Sequence, residues 1–410
     1  MNMLRNKNRK YCCGCGTCAN SCPQNCINML PDSEGFLYPQ VEESLCIGCH
    51  NCEHVCPILN ERKEETSYQE GYIIQNSNLS ERKSATSGGF FSVLCKYVIS
   101  NEGIVYGVKF DKRFKAIHAG ITDIKDISVL CRSKYVQSET GFVFREVKNN
   151  LDKGKLVCFS GTPCQIEGLK LYLKKEYYNL ITCDVVCRGV PSPLFWEKYK
   201  DYIKGCYGTP AYVGFREKTY GYSYSTLVFR DKDGGLLYSA GVESDPYLRA
   251  FFSDISVRPS CFHCKFKKRF RQSDYTIWDC FPVYKFSTEM DDDFGTTRLI
   301  IHTDKGQEVF DSIKPELNYK RIEVQKLISD SVEMTASVIP NPRREAFFKD
   351  FITMEFEDVL KKYFPDSIKV KIERTARILF IKIGIYRRAL RVYKRFANSK
   401  INRYRSTKKS

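Results

Sequence analysis

Two short stretches near the start of the chain share one cysteine pattern. Residues 12–23 read Cys-Cys-Gly-Cys-Gly-Thr-Cys-Ala-Asn-Ser-Cys-Pro, and residues 46–57 read Cys-Ile-Gly-Cys-His-Asn-Cys-Glu-His-Val-Cys-Pro. Counted from Cys12 and from Cys46, both follow the spacing C-x2-C-x2-C-x3-C-P without a gap. Ten of the twenty cysteines lie between residues 12 and 56. Such a repeated run predicts that this part of the chain folds around bound metal.

The spacing is that of the bacterial ferredoxin run, in which three thiolates on one tight loop bind a [4Fe–4S] cube and the fourth cysteine binds the other cube. It predicts two ligand sets, which are Cys12, Cys15, Cys18 and Cys56 for one cluster and Cys46, Cys49, Cys52 and Cys22 for the other. A pair of zinc sites is the alternative, because zinc also binds C-x2-C pairs. Cys13 and Cys26 lie outside the pattern and are expected to be small buried thiols.

Length and composition exclude several classes of protein. The 410 residues are 42% hydrophobic and 28% charged, which is typical of a folded chain with two or three domains. No apolar run approaches 18 residues, and residues 1–10 are charged, so neither a transmembrane helix nor a secretory signal is expected. We therefore expect a cytoplasmic protein, in which the cysteines are thiols that bind metal and do not form disulfides.

The rest of the chain alternates between strand-like and helix-like segments. Short β-branched or aromatic runs predict strands at residues 71–74, 104–108, 156–159, 181–186 and 297–302. Helices are predicted between them at residues 89–100, 139–150, 165–175 and 193–203. The predicted fold class is α+β: a mixed α/β body, an N-terminal bacterial-type dicluster ferredoxin domain and a basic C-terminal helix.

Seven short motifs follow one another in the body: Ser87-Gly-Gly89, Lys134-Tyr-Val-Gln-Ser138, Gly161-Thr-Pro-Cys-Gln-Ile166, Asp184-Val-Val-Cys187-Arg-Gly-Val-Pro-Ser-Pro193, Arg258-Pro-Ser-Cys261-Phe-His-Cys264, Ser273-Asp-Tyr-Thr276 and Asp293-Phe-Gly-Thr-Thr297. In number and order they resemble the beta subunit of coenzyme F-420 (deazaflavin) hydrogenase and dehydrogenase. Relatives of that family include 7-hydroxymethyl chlorophyll a reductase and proteins of bacterial surface-polysaccharide gene clusters. The resemblance covers about residues 1–350 and implies an FAD-dependent electron-transfer enzyme fed by iron–sulfur clusters. We expect a ferredoxin domain at 1–60, two flavoprotein subdomains at 66–150 and 151–350, and a tail at 367–410.

The resemblance implies that FAD contacts the first three motifs, through Ser87, Gly88, Gly89, Lys134, Tyr135, Gln137, Gly161, Thr162, Pro163 and Gln165. The Ser87-Gly-Gly turn precedes an apolar helix, whose first backbone N–H groups suit a pyrophosphate. An ordinary helix N-cap is the alternative. The Gly161-Thr-Pro turn joins a strand to a helix, which is the usual place for a cofactor crevice. Lys134 is expected to bind a flavin oxygen or a phosphate, and a solvated charge is the alternative.

A third cluster is predicted near the flavin. Cys261 and Cys264 form an isolated C-x2-C pair, and a cube needs four ligands. Cys164 and Cys187 lie in family motifs at strand ends and are the best partners, with Cys183 as another candidate. A zinc site with the same ligands and unligated thiols are the alternatives. The remaining cysteines are expected to be packing residues: Cys95, Cys131, Cys158, Cys206 and Cys280.

The expected function is oxidoreduction, because a flavin converts between one-electron and two-electron chemistry. A ferredoxin or another one-electron partner would exchange electrons with the clusters, and FAD would exchange them with a small substrate. The polysaccharide-cluster relatives suggest surface-polysaccharide biosynthesis. A non-catalytic electron-transfer subunit of a larger complex and an F-420 dehydrogenase are the alternatives. The candidate catalytic residues are Asp184, Arg188, Asp274 and Asp279.

Two of these candidates lie where the sequence departs from the family. The family has His at the position of Arg188, and it reads Gly-Asp-aromatic-Trp-Gly where this chain reads Trp278-Asp-Cys-Phe-Pro282. Both departures fall in the half of the body expected to contact substrate. The resemblance therefore does not define the substrate.

The C-terminal tail carries most of the net charge of +17, since residues 367–410 contain fifteen Lys or Arg and one acid. Apolar residues at 379, 383, 386, 390 and 393 predict one face of an amphipathic helix. We expect this helix either to contact the inner face of a membrane or to pack on the protein's own body or a partner. No recognition motif indicates nucleic-acid binding. Oligomerisation is left open.

Overall fold

The computed structural model describes residues 9–390 and residue 392. Its strands are β1 Ile27–Pro31, β2 Leu37–Val41, β3 Glu70–Asn76, β4 Ile104–Phe110, β5 Ala116–Ile121, β6 Val157–Gly161, β7 Leu180–Val185, β8 Tyr212–Glu217, β9 Thr226–Arg230, β10 Leu236–Ala240, β11 Tyr275–Asp279, β12 Thr297–Ile301 and β13 Leu317–Arg321. Its α-helices are α1 Thr17–Ser21, α2 Asn51–His54, α3 Leu79–Ser84, α4 Phe90–Ser100, α5 Ile127–Leu130, α6 Val143–Asp152, α7 Pro163–Leu173, α8 Pro193–Tyr207, α9 Pro246–Phe252, α10 Asp304–Ile313, α11 Val324–Ile328, α12 Val332–Thr335, α13 Arg344–Thr353, α14 Phe356–Tyr363 and α15 Ile368–Lys382.

An eight-stranded mixed sheet forms the centre of the body, in the order β13-β3-β12-β11-β7-β6-β4-β5. Strands β4, β6, β7 and β11 are parallel, and the other pairs are antiparallel. Helices α4 and α10 pack on one face and helices α6 and α7 on the other. Because both faces are covered, strands β3, β6, β7 and β12 are almost continuously buried. The expected α+β class is confirmed.

All five predicted strands and all four predicted helices are present in the body. The boundary expected near residue 150 does not separate two structural units, because β4 pairs with β6 and β3 pairs with β12 across it. Strands from residues 66–150 and from 151–350 therefore complete one sheet. The small antiparallel sheet β8–β9–β10 was not predicted from the sequence.

The N-terminal module consists of the β1–β2 hairpin with α1 and α2, and it packs directly against α6 and α7. Arg145 of α6 donates to the carbonyls of Asn20 and Cys22 at 2.8 and 3.1 Å. Gly168 of α7 faces Thr17, and a Cβ there would lie 2.4 Å from the Thr17 hydroxyl. This close approach leaves no gap between the module and the sheet-covering helices.

The C-terminal tail is not one continuous helix over the described residues. Helix α15 ends at Lys382, Gly384 takes a left-handed conformation with φ +74°, and a second helical stretch covers residues 386–390. Tyr386 is buried against Tyr224 with ring centroids 5.7 Å apart, and Arg377 donates to the Tyr386 hydroxyl at 2.9 Å. These contacts favour packing on the protein's own body. Residues 391 and 393–410, which include the predicted position 393, lie outside the described residues.

Over the described part of the chain, no helix combines the length and apolarity needed to cross a bilayer.

Candidate iron–sulfur and cofactor site

The structure brings both N-terminal ligand sets together. Cys12, Cys15, Cys18 and Cys56 line one small cavity. Cys46, Cys49, Cys52 and Cys22 line a second one. All twenty cysteines lie within the described residues, and none of them is in a disulfide there.

The loop of the first set turns through two glycines in the left-handed region, Gly14 at φ +70° and Gly16 at φ +75°. The left-handed conformation favours glycine at position 14, and a Cβ there would lie 2.4 Å from the amide nitrogen of Gln137 and displace that side chain. Burial, together with the neighbouring thiolates of Cys15, Cys12 and Cys56, raises the pKa of Cys18. A bound cation would offset this cost of gathering thiolates.

The two extra cysteines of this region occupy different surroundings. Cys26 is buried as expected, and its sulfur lies 3.3 Å from that of Cys22. Cys13 is only half-buried, and its thiol lies close enough to Cys15 of the first set and to Cys164 of the body that both raise its pKa. Cys13 therefore marks the point where the N-terminal module meets the third cysteine set.

The third predicted set also comes together, at a much larger cavity of about 1200 Å³. Cys164, Cys187, Cys261 and Cys264 all line it. The pKa of Cys187 is raised by burial and then by the thiolates of Cys261, Cys164 and Cys264, while Lys267 opposes the rise.

The other cysteines of the body differ in burial: four are buried in the core, whereas Cys131 and Cys206 are not. Cys183, the alternative ligand, is buried in the core beneath α4 and does not line the cavity. Cys95, Cys158 and Cys280 are buried packing residues, as expected. Cys131 is half-buried at the cavity wall. Cys206 is exposed on α8, so the prediction that it packs in the core is wrong.

The large cavity lies at the carboxyl ends of the parallel strands, where open α/β sheets bind ligands. Gly161 ends β6, Val185 ends β7 and Asp279 ends β11, and all three line it. Nine of the ten predicted cofactor residues line the cavity, and only Gly88 does not. The Gly88 N–H donates to the Thr297 hydroxyl at 2.8 Å, so Gly88 allows the turn to approach the sheet closely.

The two helix N-termini at the cavity differ in their capping. Thr162 and Gln165 form a capping box on α7, in which the Gln165 side chain accepts from the Thr162 N–H at 2.9 Å. The N-cap of α4 is Gly89 at φ +83°, and no side chain caps that helix. The first-turn N–H groups of α4 are therefore the better place for a phosphate.

Three predicted residues of the Lys134–Ser138 motif make contacts within the protein. Lys134 donates to the carbonyls of Val129 and Arg132 at 2.7 and 2.9 Å, and burial lowers its pKa to about 7. It is therefore not the solvated charge of the alternative interpretation. Tyr135 accepts from Arg216 at 3.2 Å. Gln137 donates to the Cys13 carbonyl at 3.3 Å and so joins the body to the N-terminal module.

The four candidate catalytic residues divide into two pairs. Arg188 and Asp279 line the cavity. Asp184 accepts from Arg271 at 2.9 Å in a buried ion pair, and Asp274 accepts from the N–H of Thr182 at 2.7 Å. Neither Asp184 nor Asp274 lines the cavity, so both stabilise the fold around β7 and β11.

Two buried arginines were given no role from the sequence. Arg216 of β8 is nine-tenths buried at the cavity, and it donates to the Asp279 carboxylate at 2.9 Å. Its second terminal nitrogen, Nη2, is buried and has no partner among the described residues. Arg258 is fully buried and donates to the carbonyl of Cys12 at 2.8 Å. Arg258 belongs to a quoted motif, but its spacing does not indicate where the side chain points.

The donor chemistry of the three sets fits iron–sulfur clusters, because each offers the four thiolates that a cube needs. Among the described residues, no three His, Cys, Asp or Glu side chains converge on a point suited to a single metal ion. A [4Fe–4S] cube is bound by one cysteine at each of four corners, so its ligands surround a volume and do not converge on one point. The relevant criterion for a cluster site is therefore that the four cysteines line a common cavity. All three sets meet it.

Cysteine sets of this kind, leading from a ferredoxin-like module to a cavity at the sheet edge, define an iron–sulfur electron-transfer protein of the oxidoreductase type. Residues 11–59 match the 4Fe-4S dicluster domain. Residues 154–327 match the family defined by the C terminus of the coenzyme F420 hydrogenase/dehydrogenase beta subunit. These two matches confirm the resemblance over the stretches that they cover.

One curated relative is the coenzyme F420-dependent sulfite reductase of Methanocaldococcus jannaschii, which is 24% identical over 323 residues. The match covers 77% of this chain and 48% of the relative, so the chain spans about half the length of that protein. A chain of the F420-reducing [NiFe] hydrogenase complex from Methanosarcina barkeri aligns with a TM-score of 0.43 at 14% identity, covering 68% of this chain and 99% of that chain.

Proposed function

We propose that this chain is an iron–sulfur flavoprotein that transfers electrons between a one-electron carrier and a small substrate, with FAD bound in the large cavity. One observation carries the proposal: the same cavity is lined by the Cys164, Cys187, Cys261 and Cys264 set and by nine of the ten residues expected to contact FAD. When bound, the clusters supply one-electron transfer and the flavin supplies the conversion to two-electron chemistry.

The placement of the cysteine sets supports an order in which electrons would pass from one set to the next. Cys49 of the second set is exposed, so an external one-electron carrier such as a ferredoxin can approach there. Cys13 lies near both Cys15 of the first set and Cys164 of the third. The order from surface to cavity is therefore the second set, the first set and the third set.

The size and the open helix end of the cavity support a dinucleotide. Its volume of about 1200 Å³ exceeds the roughly 300–1000 Å³ of ordinary ligand cavities, leaving space for a substrate beside the cofactor. The uncapped N-terminus of α4 at Gly89 offers N–H donors to a phosphate. Lys134 also lines the cavity and adds positive charge below about pH 7.

The substrate end is best placed around Arg216 and Asp279. The unpartnered Nη2 of Arg216 is a buried donor, and Tyr222 donates to the Asp279 carboxylate at 2.8 Å. Phe281 stacks on Tyr222 with centroids 5.0 Å apart and is partly exposed. This combination of a charged donor, a carboxylate and an aromatic face suits a planar ligand with polar edges.

The deazaflavin coenzyme F-420 is the second candidate for that ligand, because the matching family and the curated relative are both named for it. A role in surface-polysaccharide biosynthesis rests on family analogy alone. A subunit that only relays electrons to a larger complex is the non-catalytic alternative.

Anaerobic purification of the full chain, with iron, sulfide and flavin quantified, tests the proposal. We expect about twelve irons, four for each of three cubes, and about one FAD per chain. A colourless protein that contains zinc and releases no flavin would overturn it. Oxidation of reduced F-420 by the purified chain, measured beside its reaction with reduced ferredoxin, separates the two candidate electron partners. No turnover of any small acceptor without added subunits would favour the relay alternative.

A further inference from the structure

Arg258 is a buried cation without a carboxylate partner among the described residues. Its side chain is fully buried, and no acidic group lies within ion-pair distance of it in that part of the chain. Burial raises the pKa of the nearby Glu34, whose ion-pair partner is Arg344, and Arg258 opposes that rise only weakly. Burying an uncompensated charge is costly, so Arg258 requires an anionic counterpart.

The hydrogen bonds of Arg258 all go to neutral acceptors. Its guanidinium donates to the carbonyls of Cys12 and Leu37 at 2.8 and 2.9 Å and to the Gln137 side-chain oxygen at 2.8 Å. The ring of Tyr38 lies 4.1 Å from the guanidinium carbon. These contacts fix the position of the positive charge but do not neutralise it.

Arg258 contacts two different cysteine sets. Its Nε donates to the carbonyl of Cys12 in the first set at 2.8 Å, and Cys261 of the third set follows it closely in the same motif. The backbone of Arg258 also belongs to the third site, because its carbonyl accepts from the Cys261 N–H at 3.0 Å and its N–H donates to the Val190 carbonyl at 2.9 Å. The residue thus joins both sites.

We propose that Arg258 is the shared counter-charge of the cubes held by the first and third cysteine sets, and that it raises the reduction potential of both. This rests on the proposed function, since it requires clusters at both sites. Reduction adds one negative charge to each thiolate-bound cube, and a fixed positive charge in a dry interior stabilises that charge. Arg258 is a positioning residue: it sets the potential and the docking of the module, and it contacts no substrate.

The test uses the anaerobically purified full chain and measures the midpoint potential of each cluster by redox titration followed by electron paramagnetic resonance. In Arg258→Met we expect two of the three midpoints to move to lower potential and the third to stay. Arg258→Lys keeps the positive charge but loses the several hydrogen-bond donors of the guanidinium. Because the charge remains, its midpoints should stay closer to those of the original chain. Unchanged midpoints in Arg258→Met with full iron content would overturn the proposal.

Two further variants keep the proposal testable if Arg258→Met fails to fold. Gln137→Glu places a carboxylate against the intact Arg258, and the same two midpoints should fall because the charge is neutralised. Arg145→Gln is the matched control, since Arg145 also donates to carbonyls of the module but is partly exposed. Arg145 contacts the carbonyl of Cys22 in the second set, so the midpoints of the first and third clusters are the ones that should stay unchanged in this control. An equal shift of those two midpoints would reduce Arg258 to a general docking role. Iron and sulfide content of the original chain separates this outcome from failure of the proposed clusters.

Discussion

Arg216 donates to the carboxylate of Asp279 at 2.9 Å, and the pair lies where strand β11 opens into the large cavity. Burial alone would lower the pKa of Arg216, but the Asp279 carboxylate and the neighbouring tyrosines raise it, so the guanidinium stays charged over the accessible pH range. Its free Nη2 is a donor that a ligand can satisfy. We therefore expect recognition at this end of the cavity to depend on the geometry of this charged pair.

Replacing Arg216 by Lys should weaken ligand binding by roughly tenfold to a hundredfold, because a charged hydrogen bond contributes about 1.5–3 kcal/mol. Titration calorimetry with FAD and with reduced F-420 measures the loss, and the ligand that loses affinity is the one bound at this end. Arg230→Lys, at the end of the neighbouring strand β9, is the control and should bind both ligands unchanged. Equal affinities in Arg216→Lys and the original chain would contradict the assignment.

Replacing Cys187 by Ser should remove one cluster and lower the iron content from about twelve to about eight per chain, since each cube holds four irons. The two N-terminal cubes should keep their spectra, because their ligands line separate cavities. Cys183→Ser and Cys206→Ser are the controls, one buried in the core and one exposed. Loss of iron from Cys183→Ser but not from Cys187→Ser would reassign the ligand.

The affinity for a phosphate-bearing cofactor should fall as the pH rises through about 7, which is the pKa of Lys134. Below that pH the buried ammonium is protonated and attracts an anion, and above it the amine is neutral. The lost charged hydrogen bond corresponds to roughly tenfold in affinity between pH 6 and 8. Binding of FAD to the flavin-depleted chain, followed by fluorescence, measures this change.

Two variants separate Lys134 from other titrating groups. Lys134→Met should bind FAD with a low, pH-independent affinity. Lys125→Met, at an exposed position of the neighbouring 3₁₀ turn, should keep the original pH profile. A pH profile that survives in Lys134→Met would assign the titration elsewhere.

Acid should destabilise the fold by protonating the buried ring of His118. The ring of His118 stacks on Phe159, its Nε2 donates to the Ser160 carbonyl at 3.2 Å, and burial lowers its pKa to about 4. Because the folded pKa lies below the unfolded value, the stability that this group contributes is complete above about pH 6.5 and is lost as the pH falls to about 4. The loss approaches roughly 3 kcal/mol at 1.36 kcal/mol per pKa unit.

Urea unfolding between pH 5 and 6.5 measures this contribution. His118→Phe keeps the stacking and should reduce the pH slope of the unfolding free energy by at most about 1.4 kcal/mol per pH unit. The exposed His54 offers the control, and His54→Gln should leave the slope unchanged. The same slope in His118→Phe and the original chain would exclude His118.

The cysteine sets could be predicted from the sequence because cluster chemistry fixes their local spacing, and the isolated pair at Cys261 and Cys264 pointed to the third set. The carboxylates could not be assigned in the same way. Asp184 and Asp279 both lie at strand ends, yet only Asp279 reaches the cavity, since Arg271 from a distant loop holds Asp184 in the core. The role of Arg258 depends on a contact with Cys12 across 246 residues, which no local pattern encodes.

The contact between Gly168 and Thr17 has a consequence for protein engineering. Helix α7 approaches α1 so closely at Gly168 that a side chain there would overlap with Thr17. The N-terminal module therefore cannot simply be exchanged for another at the sequence boundary near residue 60. A chimaera carrying a foreign electron-carrier module would have to reproduce the surface that meets α7. We expect a larger side chain at Gly168 to displace Thr17 and the module outward, which would lengthen the distance that electrons must cross.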